Sequence, residues 1–239
     1  MIHPRLRAVA FDYGGTLVSF RRPVASLDRL DPELARLLLP VRGGGAAPRG
    51  LARALDARVE SAAGPSGEGS DPAREVDIAR VYDAALLELV GHRVPSRTRS
   101  RVVWLHQRAW FAGVTVRPGA VRLLEAIRGH GLRTGLCSNA PYPPAVLRAQ
   151  LRHLGLLAHL DVTVFSSQVG WRKPHPAIFA ALLRRLRLAP GAVLFVGDSP
   201  AADLAGARAA GMRARLAPAG RAPLWSALLC EVAALGERS

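Results

Sequence analysis

Ala8 to Phe11 is a short apolar run bounded by turn residues, the pattern of a buried parallel strand. Similar runs return at Leu132–Cys137, Val162–Phe165 and Ala192–Val196, and more weakly at Met212–Leu216. Apolar residues at helical spacing separate them, over Ala120–His130, Pro144–Leu154, Pro176–Leu188, Ala201–Ala210 and Pro223–Leu235. Strands alternating with helices of this length predict βαβ units and a parallel sheet. Right-handed crossovers then place every strand end on one side. From Ser19 to Val116 no strand pattern is found. Leu27–Leu39, Leu51–Val59, Asp71–Val90 and Ser96–Phe111 read as helices, with loops at Gly43–Pro48 and Gly64–Ser70. The fold class is therefore α/β: a Rossmann-like parallel sheet core in three layers, α/β/α, formed by residues 1–18 and 117–239. Residues 19–116 form an all-helical insertion.

Composition narrows the function. The 239-residue chain carries a formal charge of +15, which raises nucleic acid as a partner. Its basic residues are scattered through every predicted helix, and few aromatics interleave with them, so nucleic acid is not expected. An anionic substrate would also suit this charge. There is no apolar run of membrane-spanning length and no signal-peptide pattern after Arg5 and Arg7, so no membrane partner is expected. Cys137 and Cys230 have no metal spacing and read as reduced thiols of a cytoplasmic protein.

The chemistry gathers at the predicted strand ends. Asp12 follows the first strand, and Gly14 and Gly15 then let the backbone turn tightly against a ligand. Ser138-Asn139 ends the second core strand. Gly197-Asp198-Ser199 ends a later one, with Asp203 in the first turns of the helix that follows. Lys173, the only lysine, precedes another helix. Ligands of open α/β sheets bind beyond the strand ends. Two carboxylates, an ammonium, a hydroxyl and free amides there suit a phosphate plus a hard cation. Each piece has a bland reading: Asp12, Ser138-Asn139 and Asp198 as turn or helix caps, Lys173 as a solvated charge. Their coincidence at matching strand ends favours a site.

As a set, these motifs resemble those of the haloacid dehalogenase-like hydrolase superfamily. Phe11-Asp-Tyr-Gly-Gly-Thr-Leu17 is similar to its first motif and Cys137-Ser-Asn139 to its second. Gly170-Trp-Arg-Lys-Pro174 is similar to the third and Val196-Gly-Asp-Ser-Pro-Ala-Ala-Asp203 to the fourth. The helical insertion matches in position the cap that one branch places between the first two motifs. The resemblance implies that Asp12 attacks phosphorus to give an aspartyl-phosphate that water hydrolyses. It implies Mg²⁺ held by Asp12, the Gly14 carbonyl and Asp198, with Asp203 in support. Ser138 and Lys173 would hold the phosphoryl oxygens, Asn139 and Gly15 would line the phosphate pocket, and Thr16 would steady the turn. The expected partner is a small phosphorylated metabolite, and the protein a monomer or homodimer.

One position departs from the family. Most of its phosphatases carry a second Asp two residues after the nucleophile, as general acid and base, where this chain has Gly14. A positioned acid is typically worth roughly 10²–10⁴-fold. Branches resembling glucose-1-phosphate phosphatases also have Gly here, so a phosphatase acting on esters with easy leaving groups is favoured. Otherwise a cap residue supplies the proton, with His92 and His106 as candidates. A phosphonatase would need a cap lysine, which is lacking. A 2-haloacid dehalogenase would use Arg21 and Arg22 for a substrate carboxylate, but Asp198 argues against it. The third reading is a non-hydrolytic binder of a phosphate ligand or partner. Cap arginines suggest an anionic or polyhydroxylated substrate, and His175 belongs to the helix-initiating loop.

Overall fold

The computed structural model describes residues 5–39, 49–63, 71–217 and 225–230. Its centre is a five-stranded, wholly parallel sheet in the order β5-β4-β1-β6-β7, formed by β1 (Ala8–Phe11), β4 (Arg133–Ser138), β5 (Val162–Phe165), β6 (Val193–Gly197) and β7 (Arg213–Leu216). All four residues of β1 are buried, because helices cover both faces. Its side chains alternate between two cores. Val9 and Phe11 pack with Leu123, Leu124 and Ile127 of α6 (Ala120–Gly129), Leu147 and Leu151 of α7 (Pro144–His153), and Trp225 of the helical turn at 225–230. Ala8 and Ala10 face Ile178, Phe179 and Leu182 of α9 (Pro176–Leu186) and Ala207 of α10 (Gly206–Ala209). This strand-period alternation gives the expected three-layer α/β fold.

Between β1 and α6 the chain makes a third core. It is formed by α1 (Val24–Asp28), α2 (Asp31–Leu38), α3 (Leu51–Ala63), α4 (Ile78–Val90) and α5 (Ser96–Trp110), around Leu34, Leu55, Tyr82, Leu86 and Val102. Several local details differ from the sequence reading. The expected Leu27–Leu39 helix is two helices, because Pro32 in the first turn of α2 has no N–H to carry the i→i−4 ladder across from α1. Asp31 is buried there and its carboxylate accepts from Gly50 N at 2.6 Å and Ala52 N at 2.7 Å, fixing the start of α3. The helix expected from Asp71 begins instead at Ile78, capped by Asp77, whose Oδ1 accepts from Ala79 N at 3.1 Å. Residues 73–75 are spent on the loop before Lys173: Arg172 N donates to Ala73 O at 2.7 Å and Glu75 N to Gly170 O at 3.0 Å.

The stretch expected to lack strands contains two half-strands. β2 (Val18–Phe20) and β3 (Val114–Val116) pair antiparallel and join the helical segment to the sheet. Three residues each are too few for a period-two pattern to register. The expected helix Ala201–Ala210 opens as a π-helical turn, Pro200–Ala205, before α10. The expected loops at Gly43–Pro48 and Gly64–Ser70 lie outside the described residues, as do the ends of the helix expected over Pro223–Leu235.

A charged group sits at the bottom of the helical segment. Asp56 on α3 is fully buried and accepts from Arg22 Nε at 2.6 Å, His106 Nε2 at 3.0 Å and Trp110 Nε1 at 2.7 Å. His106 Nδ1 in turn lies 2.5 Å from the Tyr82 hydroxyl. Burial alone would raise the Asp56 pKa, but the hydrogen bonds from His106, Trp110 and Arg22 more than reverse it, so it lies below the usual range. Asp56 is thus bound more weakly by protons folded than unfolded, and its stabilisation is present at neutral pH and lost as pH falls through the lowered pKa. Asp56→Ala should cost about 3–5 kcal/mol at pH 7 by urea denaturation, because it leaves buried donors unpaired. The difference from wild type should shrink on acidification.

Candidate active site

The site lies where β1, β4 and β6 end. Asp12 leaves β1 as its N–H donates to Val196 O at 2.9 Å, so the carboxylate emerges at the sheet edge beside β6. The chain then turns back at once: Leu17 N donates to Tyr13 O at 2.9 Å and Gly15 N to Val18 O at 2.8 Å. Gly15 takes φ +75°, and a Cβ there would run into the Asp198 carboxylate. Gly197 is required for the same reason, since a Cβ on it would meet the Asp203 side chain. The π-helical turn carries Asp203 inward, where Ser199 N donates to its Oδ2 at 3.0 Å.

Lys173 joins these elements. Its Nζ donates to Asp12 Oδ1 at 2.5 Å and to Asp203 Oδ1 at 2.6 Å, and all three side chains are buried. Asn139, directly after β4, fixes the lysine from behind: its Oδ1 accepts from Lys173 N at 2.7 Å and its Nδ2 donates to Lys173 O at 3.2 Å. Asn139 thus positions the lysine as well as lining the cavity. Ser138 is buried at the same strand end and lines the cavity with Asp12, Lys173 and Asp198.

The electrostatics follow from an excess of acid in a small space. Burial and the Asp203 carboxylate push the Asp12 pKa up to about 6, against the pull of Lys173. Burial and Asp203 also raise Asp198, although it remains exposed. Burial alone would lower the Lys173 pKa, but the Asp12 and Asp203 carboxylates more than reverse it, so the ammonium stays charged. Asp12, Asp198 and Asp203 each present an oxygen within 4.8 Å of the others. Oxygen donors around surplus negative charge fit a hard divalent cation such as Mg²⁺. Both Asp203 oxygens already hold hydrogen bonds, to Lys173 and to Ser199 N, which suits a supporting place rather than a direct one. Gly14 lines the same cavity.

Other expected residues fall elsewhere. His106 is buried in the Asp56 network, and exposed His92 meets the Val90 carbonyl, its own loop; neither lines the cavity. Arg21 and Arg22 do not line it either, and Arg22 is committed to Asp56. The Thr16 hydroxyl is buried and finds no partner among the described residues, so the turn rests on backbone bonds and on Arg117, whose Nη1 donates to Gly15 O at 2.7 Å. His175 caps α9, accepting from Ala177 N at 3.2 Å, and stacks on Trp171. Buried Cys137 has its thiol pushed up to about 12 by burial and is inert.

The cavity, of about 450 Å³, also has walls that the motifs did not announce: Phe20, Glu60, Gln107, Trp110 and Tyr142. Phe20 explains the Gly14 position. Its ring packs edge-on to Tyr13, and a Cβ on Gly14 would come within 2.6 Å of Phe20 Cε2. An aromatic ring therefore occupies the space from which a side chain at 14 would project.

A parallel α/β sheet with carboxylates and a lysine at its strand ends carries a ligand site where open α/β folds hold theirs. The chain belongs to the haloacid dehalogenase-like hydrolases, whose family model matches residues 6–211. It is 44% identical over 102 residues to a phosphoglycolate phosphatase of Rhodospirillum rubrum, a match spanning 43% of this chain and only 41% of that relative's length. It is 30% identical over 206 residues to the phosphoglycolate phosphatase of Yersinia pseudotuberculosis, covering 86% of this chain and 78% of the relative. Among solved structures it resembles a 2-haloacid dehalogenase of Pseudomonas syringae, with 25% identity, TM-score 0.60, and 96% and 98% of the two chains covered. No helix among the described residues is long and apolar enough to cross a membrane.

The ion cluster makes a pH-dependent prediction. Lys173→Ala leaves Asp12 and Asp203 buried without their cation, and the Asp12 pKa, already raised by burial, loses the pull of Lys173 and rises further. Such a group binds protons more tightly when folded, and stability then falls as pH rises. In metal-free protein, the variant should lose about 3–5 kcal/mol at pH 8 and distinctly less at pH 5, by thermal or urea denaturation. An equal loss at both pH values would refute the ion-cluster account.

Proposed function

We propose that the protein is a Mg²⁺-dependent phosphatase that hydrolyses a small phosphate monoester through an aspartyl-phosphate on Asp12. The observation that carries this reading is the Lys173 ammonium set between Asp12 and Asp203, beside Asp198, in a metabolite-sized cavity. Asp12 in its ionised form attacks phosphorus; the P–O bond to the leaving group breaks, and water then cleaves the acyl phosphate. Lys173 and Ser138 meet the phosphoryl oxygens, and Lys173 offsets the repulsion between Asp12 and the anionic substrate. Asn139 and Gly15 line the phosphate end. Bound Mg²⁺, held by Asp12, the Gly14 carbonyl and Asp198 with Asp203 behind, would neutralise charge on the transferring group. Residues 19–116 act as a cap on a core of 1–18 and 117–239, and the enzyme works in the cytoplasm as a monomer or homodimer.

Gly14 brings no proton donor, and Phe20 stands in its place. The leaving oxygen therefore departs with little protonation, which favours sugar 1-phosphates, acyl phosphates and other good leaving groups. The fold likeness to a 2-haloacid dehalogenase supports a second reading, hydrolysis of 2-haloacids by the same Asp12. The acid cluster at Asp198 and Asp203 weighs against it, since carbon–halogen cleavage needs no cation.

Phosphate release from a panel of esters, with and without Mg²⁺, tests the proposal. Asp12→Asn should reduce kcat by on the order of 10⁴-fold or more, as expected when a nucleophile is removed. Halide release from 2-haloacids without phosphate release would replace the phosphatase by the dehalogenase. Wild-type kcat/KM should also fall steeply as the leaving group becomes more basic. The double variant Gly14→Asp, Phe20→Ala, which makes room for an acid, should flatten that dependence and speed alkyl esters by about 10-fold or more.

A further inference from the structure

The part of a substrate that is not phosphate meets the remaining cavity walls, and their charge is informative. Lys173 is the one cationic side chain among the described lining residues, and it is committed to Asp12 and Asp203. No arginine of the helical segment lines the cavity among the described residues, so the expected arginine-bound anion is not supported. That segment contributes Glu60, from the last turns of α3, together with aromatic and amide groups.

Glu60 is held in place. Its Oε1 accepts from the Tyr142 hydroxyl at 3.3 Å, which links α3 to the loop after β4. Tyr142 also interacts with Gln107, whose Nε2 donates to the Tyr82 hydroxyl at 3.4 Å. The anchor thus runs back to the buried Asp56–His106 network. Oε2 of Glu60 makes no hydrogen bond to a described residue, and Glu60 remains solvent-exposed. An oriented acceptor with one oxygen to spare sits beside Phe20, Trp110 and Tyr142, which offer apolar surface for a carbon skeleton.

Resting on the phosphatase reading, we propose that Glu60 is a specificity-determining residue. It selects phosphate esters whose far end carries a hydrogen-bond donor, hydroxyl or ammonium, and rejects those ending in a carboxylate. A donor completes the hydrogen bonding of Oε2. A substrate carboxylate would face Glu60 in a cavity already crowded with Asp12, Asp198 and Asp203, and like charges at contact distance in a partly dry site repel strongly. Partial burial, with a smaller push from the Asp56 carboxylate, raises the Glu60 pKa, so its charged form gains from a donor placed against it. By this argument the chain differs in specificity from the relatives named phosphoglycolate phosphatase, whose named substrate ends in a carboxylate.

Three esters of equal length that differ in their terminal group give the test: 2-aminoethyl phosphate, 2-hydroxyethyl phosphate and 2-phosphoglycolate, with p-nitrophenyl phosphate reporting the chemistry alone. Because alkyl leaving groups depart slowly here, the readout is kcat/KM or, where turnover is too slow, Ki against p-nitrophenyl phosphate; wild type with Mg²⁺ should favour the first two over 2-phosphoglycolate by on the order of 10- to 100-fold. Glu60→Gln should shrink that ratio by about 10-fold, chiefly through KM, and Glu60→Lys should invert it. A destabilised fold would lower all rates without inverting the order. Turnover of p-nitrophenyl phosphate with 2-phosphoglycolate equal or preferred in wild type would overturn the inference alone, as would an order unmoved by Glu60→Lys. No turnover of any ester would overturn the phosphatase reading, and the inference with it.

Discussion

Everything at the sheet edge depends on one buried ammonium. Asp12 and Asp203 face each other behind the strand ends, and two buried carboxylates cannot both stay ionised there without a cation between them. Lys173 supplies it from a third direction, and Asn139 grips its backbone through both amide atoms. Four chain segments distant in sequence thus converge because of charge balance. Apolar packing of the sheet places them near one another, and the ion cluster fixes their final geometry.

The glycines are the other half of that constraint. Two carboxylates approach the backbone so closely that a methyl group at position 15 or 197 would displace them. Gly15 lies in the turn after β1 and Gly197 ends β6, the strand paired with β1, so both close approaches are set at the same sheet edge. The site is therefore rigid on its core side. The helical segment and the turn into it contribute the remaining walls, among them Phe20 and Glu60.

Much of this was legible in the sequence, for identifiable reasons. β1 and β6 read correctly because a strand covered on both faces is continuously apolar, and Asp12 and Asp198 stand out as the first charges after such runs. Lys173 and Asp203 could be placed because the order of strands and helices puts their loops on the same edge. β2 and β3 were lost because three residues carry no period. Glu60 and Tyr142 left no signal, since helical spacing encodes which face of α3 is buried and not which exposed residue faces a neighbouring loop. His106 could be a proton donor or a packing residue on its sequence, since its partner Asp56 is distant in the chain; it proves to satisfy Asp56 inside the segment.

The pairing of residues 73–75 with the 170–172 loop has a mechanical consequence. An insertion joined to its host only through the β2–β3 ribbon could swing about that ribbon as a hinge. Here a third tether fastens it to the loop that delivers Lys173. A wide swing would either break those two backbone hydrogen bonds or drag the ammonium away from Asp12. Any displacement of the insertion at this point is thereby felt at the ion cluster, so the position of the helical segment and the charge balance around Asp12 are mechanically coupled.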